Sequence, residues 1–349
     1  MQRKATSQDV ANLAGVSRSA VSLVLNGRGD GNIAADKQAL IIEAARKLNY
    51  TPNAVALSLR SRRSSTIGIV TDAIATSAFG GRLLQGAGEV AIARGFLTMV
   101  IDTRWDKERE RQAYDTLQNR QVDGFLFAAL GLRRYQPPSL LRGIPSALAN
   151  CFDDADSVPA FIPDEVTGCR TVTQHLIDQG HRDITLLTGT SDVIASGLRE
   201  QGFVEAMTGA GLSVGEPVLG GWEIDKGYAA AMHVLAERDT RPTAIVCTND
   251  RSAVGVLLAA AQLGLSVPRD LSVVGYDDDE NVAPWLVPAL TTVRLPHREM
   301  GERAMQVVLD AALDPARTPT SPVVHDGSPR PRVLLECPLV MRDSVAPPR

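Results

Sequence analysis

The sequence predicts a small all-α head followed by a larger α/β body with two doubly wound parallel sheets. Three observations lead to this fold class. The first sixty residues carry apolar positions at helical spacing, while the rest alternates between short apolar runs and helical patterns. That alternation occurs twice, before and after about Asp164, and 349 residues exceed one ordinary core, so two or three domains are expected.

Two short helices joined by a tight turn open the head. Thr6 can cap the first helix, because Asp9 follows three positions later, where its carboxylate meets exposed amides. Gly15 allows a sharp reversal, and Ser17 can cap the second helix. A small core is expected from the apolar positions of both helices, which are Val10, Leu13, Ala14, Ala20, Val21, Val24 and Leu25.

A helix pair of this size is the smallest unit that can place one helix in the major groove of DNA. Arg18, Ser19 and Ser22 would point outward near the N-terminus of the second helix, the end that reaches base edges. An arginine can pair with guanine O6 and N7, and serine hydroxyls can contact a base or a phosphate. A third helix from about Ala35 to Asn49 would complete the head, and an ordinary three-helix bundle with a basic surface is the alternative interpretation. The buried face of the third helix is expected to consist of Leu40, Ile41, Ala44, Ala45 and Leu48.

Charge is distributed unevenly along the chain. Up to Ser64 there are ten Lys and Arg residues and four Asp and Glu residues, a net charge of +6. The remainder has 26 basic and 36 acidic residues, a net charge of −10, so the overall −4 hides a polarised molecule. A basic appendage on an acidic body is expected of a nucleic-acid-binding protein with a separate soluble domain.

Several function classes are not supported by any motif. The four cysteines, at positions 151, 169, 247 and 337, lie far apart, which argues against a zinc knuckle or a disulfide framework. There is no signal-peptide pattern and no run of about 18 apolar residues, so no membrane span is predicted and the cytoplasm is the expected location. The chain lacks the common catalytic and phosphate-binding motifs, and its five histidines are scattered, so no enzyme activity, cofactor or metal site is predicted.

The head contains the blocks Asp9-Val-Ala11, Ala14-Gly-Val-Ser17, Val21-Ser22, Leu25-Asn26 and Asn49-Tyr-x-Pro-Asn-Ala-Val-Ala56. In these blocks the chain resembles the LacI/GalR family of bacterial transcription regulators, and the resemblance continues through nearly the whole body. Leu23 stands where many relatives carry an arginine, so an apolar contact replaces one expected polar contact. The DNA-contacting residues predicted for the head are Thr6, Ser17, Arg18, Ser19, Ser22, Leu23 and Asn26.

Residues 51–65 are predicted to form a hinge helix and a polar linker. Pro52 suits a helix start, but the segment from Asn53 to Arg60 is too short to be stable alone in water. The resemblance implies that the same segment of a second subunit pairs with it on DNA, with Asn53, Ala56 and Leu59 as DNA contacts. Leu59 would wedge between base pairs of the minor groove and bend the duplex. Plain interdomain packing is the alternative role for this leucine.

The body shows apolar, strand-like runs at 67–70, 97–101, 124–128, 184–187, 244–247 and 271–275. Helical patterns are predicted at 83–94, 108–119, 167–179, 199–210, 227–237 and 253–263. Ligands bind beyond the carboxyl ends of strands in parallel sheets. The polar residues that follow the strands are therefore the candidate ligand contacts, and they include Asp72, Asn150, Asn249 and Asp277.

This body resembles the periplasmic sugar-binding-protein fold that the family carries as its effector domain. The match rests on Arg199-x-x-Gly-Phe203, Thr248-Asn-Asp250 and Val274-Gly-Tyr-Asp-Asp278, and it implies that Arg199, Asn249 and Asp277 contact the effector. Such side chains make paired hydrogen bonds to vicinal hydroxyl groups. The aromatic residues expected near the cleft are Phe79 and Trp222.

Several of these positions also have a purely structural interpretation. Asn249 and Asp250 can simply cap the helix that follows, and Phe79 can be a core residue. The acidic run that begins at Asp277 can be a solvated loop. Leu295 stands where relatives often carry a glutamine, which removes one expected polar contact.

The predicted partners are near-palindromic double-stranded operator DNA, a small-molecule effector and a second copy of the chain. A sugar is favoured because the family mostly senses sugars, and a dimer because the chain has no C-terminal leucine heptad. Dimerisation is expected through residues 79–94 and the helices that follow. A sugar-binding protein without gene regulation is the runner-up function, which the basic head opposes.

The predicted domains are a helix-turn-helix domain at 1–50, the hinge and linker at 51–65, and an effector-binding and dimerisation domain at 66–349. Within the last, one subdomain is expected at about 66–163 and 294–325, and the other at about 164–293 and 326–349. The Pro-rich residues 314–332 are expected to form a crossover connection and a mobile loop.

Overall fold

The computed structural model describes residues 5–51, 63–77, 79–314 and 332–349. The chain divides into two compact units, Met1–Ser65 and Thr66–Arg349. The hinge positions Asn53, Ala56 and Leu59 lie outside the described residues.

The first unit is a three-helix bundle of α1 (Ser7–Ala14), α2 (Arg18–Leu25) and α3 (Ala35–Lys47). The predicted caps are confirmed: Thr6 and Asp9 form a reciprocal capping box, and the Ser17 side chain accepts a hydrogen bond from the Ala20 amide. Gly15 ends α1 in the left-handed conformation, with φ 66°. The sequence therefore encodes both ends of the turn locally.

Three details of the head differ from the prediction. Leu13 and Leu40 are exposed by 53% and 55%, although both were expected in the core. With about 100° of rotation per residue, Val10 and Ala11 place Ala14 on the inner face and turn Leu13 away from it. Ile41 likewise takes the inner face of α3 and leaves Leu40 on its flank. The helix ends at Lys47 rather than Asn49, because Asn49 adopts φ 46°.

The second unit contains two parallel sheets with helices on both faces, which confirms the predicted fold class. The first sheet has the strand order β11–β5–β4–β3–β1–β2. Its strands are β1 (Thr66–Thr71), β2 (Leu97–Asp102), β3 (Gly124–Arg134), β4 (Ser146–Phe152), β5 (Ala160–Pro163) and β11 (Arg332–Leu335). It packs between α4 (Gly80–Ala93) and α10 (His297–Leu313) on one face and α5 (Lys107–Asn119) on the other.

The second sheet has the strand order β7–β6–β8–β9. Its strands are β6 (Ile184–Thr188), β7 (Val218–Leu219), β8 (Ala244–Cys247) and β9 (Ser272–Val274). One face is covered by α6 (Glu165–Asp178) and α7 (Ile194–Gly209), and the other by α8 (Ile224–Val234) and α9 (Asp250–Gln262). A short antiparallel pair, β10 (Thr292–Val293) and β12 (Leu339–Val340), forms a separate two-stranded sheet, and isolated bridges join the residues that flank β10 to the end of β9 and the turn after it.

Two expectations about the body need correction. Arg332–Leu335 was expected in the second subdomain, but it runs parallel to β5 and completes the first sheet. A further backbone hydrogen bond holds this strand in place, because the Asp164 amide donates to the Leu335 carbonyl at 2.8 Å. The helix that carries Arg199 begins at Ile194 instead of at Arg199 itself. Ile194 and Leu198 pack against the core of the first sheet, and this tertiary contact extends the helix through residues of low helical propensity.

None of the described helices combines the length and the apolar character that crossing a membrane requires.

The close approach of helices α4 and α10 depends on two glycine residues. A Cβ atom on Gly301 would lie 2.1 Å from the Leu83 carbonyl oxygen, and one on Gly86 would lie 2.3 Å from the Arg298 carbonyl oxygen. Backbone atoms cannot move aside as a flexible side chain can, so only hydrogen fits at these two positions.

We therefore expect Gly301→Ala to destabilise the second unit by about 1–3 kcal/mol, because the new methyl group forces α10 away from α4. Urea unfolding followed by circular dichroism measures this change. Gly209→Ala is the matched control: Gly209 lies exposed at the end of α7 with nothing near its Cβ position, so the substitution should be neutral or stabilise by up to about 1 kcal/mol. Equal stability of the two variants would contradict this account of the helix contact.

Candidate functional site

Arg199 and Glu165 form a buried ion pair at the carboxyl end of the second sheet. The Arg199 side chain donates from Nε to Glu165 Oε2 at 2.9 Å and from Nη2 to Glu165 Oε1 at 3.1 Å. Its third nitrogen, Nη1, donates to the Thr248 carbonyl oxygen. The guanidinium carbon also lies 3.7 Å from the centroid of the Tyr276 ring, a cation–π contact. The guanidinium is therefore fixed from three sides before any ligand arrives.

Asp277 supplies a second carboxyl group to the same guanidinium. Asp277 Oδ1 lies 3.6 Å from Arg199 Nη2, and the residue is held at φ 110° by the path of its loop. Burial raises the pKa of Asp277 well above its ordinary value, and Arg199 offsets only part of that effect. Burial alone would lower the pKa of Arg199, but Glu165 and Asp277 outweigh it and raise that pKa. Arg199 therefore stays cationic and is neutralised within the protein.

Asp250 and Asp278 are structural carboxylates. Asp250 accepts hydrogen bonds from the Asp279 amide at 2.7 Å and the Thr292 hydroxyl at 2.6 Å, and burial raises its pKa to about 7. Asp278 is paired with Arg294 and Arg342. Burial raises the pKa of Asp278, but the hydrogen bonds from these two arginines lower it further than burial raises it. The first three residues of the acidic run after β9 thus form a buried, bonded turn and not a solvated loop, whereas Glu280 at its end is exposed.

Asn249 caps α9, as its alternative interpretation proposed. Its Oδ1 accepts from the Ser252 amide at 2.8 Å, and its Nδ2 donates to the Trp222 carbonyl oxygen at 3.1 Å. The capping role does not extend to Asp250, which bonds the Asp279 turn. Asn249 therefore ties the loop that carries Trp222 to the helix, while one N–H and one lone pair of its amide stay available.

The two candidate aromatic residues lie in different surroundings. Trp222 donates from Nε1 to Thr190 Oγ1 at 3.3 Å, and its ring centroid lies 5.8 Å from the Arg199 guanidinium carbon. Phe79 is half-buried and stacks on His297, with ring centroids 5.2 Å apart. Phe79 thus lies at the edge of the first sheet's core and not within it.

Asp72 and Asn150 lie together at the carboxyl end of the first sheet. Asp72 accepts from the Leu130 amide at 2.9 Å and from Arg133 Nε at 3.1 Å. Asn150, at φ 57°, donates from Nδ2 to the carbonyl oxygens of Ala129 and Leu130. Both side chains therefore brace the end of β3, which takes up much of their hydrogen-bonding capacity.

Glu165, Ser196 and His297 belong to this region but were not among the predicted residues. Glu165 gives no sequence signal, because an acidic residue in the first turn of a helix is explained by the helix dipole alone. Ser196 lies one helical turn before Arg199 and could have been found from that spacing. His297 opens α10, and the charges of Arg82 and Arg199 lie close enough to influence its titration.

The predicted DNA-contacting residues of the head cluster around the N-terminus of α2. Ser17, Arg18 and Ser19 are exposed there, as is Thr6 at the start of α1. Further along α2, Asn26 donates from Nδ2 to Ser22 Oγ at 3.2 Å. Leu23 is partly exposed beside them. A positive helix end that presents an arginine and two hydroxyl groups is suited to phosphate and base contacts.

Comparison with known proteins agrees with both halves of this description. Residues 6–53 match the model of bacterial regulatory proteins of the lacI family, and residues 173–345 match a periplasmic binding protein-like domain. The chain is 36% identical over 317 residues to the ribose operon repressor of Escherichia coli K12, covering 89% of this chain and 94% of that protein. It is 33% identical over 314 residues to the transcriptional repressor PurR of Vibrio cholerae, covering 89% of this chain and 92% of that protein. The structure of the Lac repressor dimer bound to operator and the anti-inducer ONPF is similar with a TM-score of 0.78 and 26% identity, covering 99% of this chain and all of that one.

The raised pKa of Asp250 predicts that stability falls as pH rises. Because the folded-state pKa of about 7 exceeds the ordinary 3.8, the folded protein keeps a proton that the unfolded chain has released. The resulting stabilisation is complete below about pH 4 and is lost towards about pH 7, at up to about 1.4 kcal/mol for each pH unit. Asp250→Asn keeps the shape of the neutral acid, so its melting temperature should fall less steeply than that of the wild type between about pH 5 and 7.5.

The exposed Asp225→Asn variant is the control, and it should keep the wild-type slope. Parallel pH profiles for the wild type and Asp250→Asn would show that Asp250 is ionised throughout this range.

Proposed function

The chain belongs to the LacI family of transcription regulators, and we propose that it binds near-palindromic operator DNA as a homodimer under the control of a sugar held at the Arg199 site. Its relatives are repressors and not enzymes. The observation that carries the proposal is the Arg199–Glu165–Asp277 arrangement within a chain whose separate head presents Arg18 at the start of α2. A cytoplasmic location accords with this role.

The charge of the site favours an uncharged effector. Arg199 is neutralised by Glu165, and Asp277 adds a further carboxyl group, so an anionic ligand would find no unpaired cation here. Hydroxyl groups can instead donate to the carboxyl oxygens and accept from the remaining guanidinium and amide protons. Trp222 beside Arg199 offers an apolar surface to a sugar ring. The match to a ribose operon repressor makes pentoses the first sugars to test.

The edge of the first sheet supports dimerisation through α4 and its neighbours. Ile92, Leu97 and Val100 are exposed by 71%, 69% and 43%, on the last turn of α4 and on the edge strand β2. Large apolar side chains grouped at an edge are costly to leave in water and are typical of protein–protein contacts. A dimer built here would double the number of heads, as a near-palindromic site requires.

Effector control would operate through the predicted hinge. A segment that folds only on DNA and only with its partner is sensitive to any change in the distance between two subunits. An effector that alters the arrangement of the two sheets would change that distance and hence the affinity for DNA. Thermodynamic linkage then requires operator DNA to change effector affinity by the same factor.

Replacing Arg18 by Ala should weaken operator binding by at least about tenfold, because the substitution removes a cationic contact near base edges. Fluorescence anisotropy with a labelled operator fragment at several salt concentrations measures the effect. Affinity of the wild type should fall steeply with salt, as expected when phosphates are neutralised. Arg120→Ala, an exposed arginine of the second unit, should bind like the wild type. Binding that is insensitive to salt or equal for random DNA would refute the regulatory role and favour a plain sugar-binding protein.

Replacing Asp277 by Ala should abolish the response to sugar while operator binding without sugar persists, because the second carboxyl group of the site is lost. The measurement is a thermal-shift screen of pentoses, hexoses and nucleobases, followed by the operator titration with each compound that binds. Asp225→Ala, at an exposed position, serves as the control and should respond like the wild type. Identical effector affinities with and without operator would contradict the proposed coupling.

A further inference from the structure

Ser196 Oγ and His297 Nε2 are buried and have no hydrogen-bond partner among the described residues. Ser196 is 3% exposed and His297 is 2% exposed. A buried polar atom without a partner costs about 1–3 kcal/mol, so native proteins satisfy nearly all of them. Atoms left over in this way mark places where a partner arrives from outside the chain.

The Ser196 hydroxyl belongs to the wall of the site formed by α7. Ser196 lies three residues before Arg199, so both side chains leave the helix on the same face. The Ser196 backbone amide donates to the Val193 carbonyl oxygen at 3.0 Å, whereas its hydroxyl has no such partner among the described residues. A Cβ atom on Gly189 would lie 2.6 Å from Ser196 Oγ and 2.3 Å from Trp222 Cζ2, so the hydroxyl and the indole both pack closely against Gly189.

The His297 imidazole lies at the start of α10, the helix that packs against the first sheet, close enough to Arg199 for that charge to influence its titration. Its ring lies nearly parallel to that of Phe79, with 16° between the planes. Burial, helped by the charges of Arg82 and Arg199, lowers the pKa of His297 to about 3, so the imidazole is neutral at neutral pH. In that state Nε2 can donate or accept, depending on the tautomer.

His297 also lies next to a position where a polar contact is missing. Leu295 occupies the crossover between the two sheets and is buried in the core of the second sheet. The leucine side chain cannot form a hydrogen bond, whereas the imidazole two residues later has a nitrogen, Nε2, without a hydrogen-bond partner among the described residues.

We propose that Ser196 Oγ, on α7, and His297 Nε2, on α10, are specificity-determining contacts that hydrogen-bond two hydroxyl groups of an uncharged, polyhydroxylated effector at the Arg199 site. This inference rests on the proposed function. Both groups are neutral, and the two arginines whose charges reach His297 are already paired, Arg199 with Glu165 and Arg82 with Glu280. A phosphorylated or carboxylated ligand would therefore lose its hydration without gaining an unpaired positive charge.

Two variants of the full-length chain, Ser196→Ala and His297→Phe, test the proposal through two measurements. Urea unfolding without any sugar should show equal or greater stability than the wild type, because an unsatisfied buried group has been removed. Calorimetric titration with the sugar that most stabilises the wild type should show affinity lower by about 3- to 10-fold for each variant. His297→Gln, which restores a polar group, should recover part of the lost affinity, and it replaces His297→Phe if that variant does not fold.

Ser213→Ala and His233→Phe, at exposed positions away from the Arg199 site, are the matched controls and should bind like the wild type. D-ribose and ribose 5-phosphate form a matched pair in the screen. A larger thermal shift from the phosphate than from the neutral sugar would overturn the uncharged class.

The remaining outcomes separate this inference from the proposed function. Loss of stability in both sugar-free variants would show that the two atoms have partners within the protein, and it would overturn the inference. Unchanged sugar affinity in both variants would also overturn the inference. The proposed function would be unaffected in that case, because the wild type would still bind the sugar. A screen in which no neutral sugar shifts the wild type would remove the sugar effector, and the inference would fall with it.

Discussion

The buried pair of Arg199 and Glu165 is the interaction on which the rest of the site depends. Taking two charges out of water costs several kcal/mol for each ion, and close geometry must return that energy. Here two hydrogen bonds join the pair, the Thr248 carbonyl takes a third donor, and the Tyr276 ring covers the guanidinium face. Such an arrangement contributes orientation more than stability: the guanidinium cannot turn without leaving Glu165 uncompensated. A ligand therefore meets a preorganised group and spends little of its binding energy on ordering it.

That pair also sets the electrostatic character of the site. A lone buried arginine would attract phosphate or carboxylate, whereas Arg199 shares its charge with Glu165 and Asp277. The remaining carboxylates of the region are either bonded to backbone and hydroxyl groups, like Asp250, or paired with arginines, like Asp278. What is left for a ligand is a set of neutral or neutralised donors and acceptors, which is the chemistry of hydroxyl recognition.

The carboxyl ends of the two sheets illustrate how a binding fold divides its polar residues. Asn249 caps a helix and holds the Trp222 loop, and Asp72 and Asn150 brace the end of β3. These side chains shape the site by holding its loops. Ser196 and His297 differ because Ser196 Oγ and His297 Nε2 have no hydrogen-bond partner among the described residues. A structural residue therefore differs from a candidate ligand contact in whether its polar atoms already have hydrogen-bond partners within the protein.

The sequence by itself determined the elements and their order, because caps, glycine turns and apolar periodicity act over a few neighbouring residues. Thr6, Gly15 and Ser17 define the head in this local way, and the alternation of runs defines two parallel sheets. Only the tertiary structure decided that Glu165 meets Arg199 across 34 residues, that Asp250 bonds the distant Asp279 turn, and that residues 332–335 complete the first sheet. The physical reason is that hydrogen-bond satisfaction and burial depend on residues distant in the chain. The polar atoms left over for a ligand become visible only when every other partner has been placed.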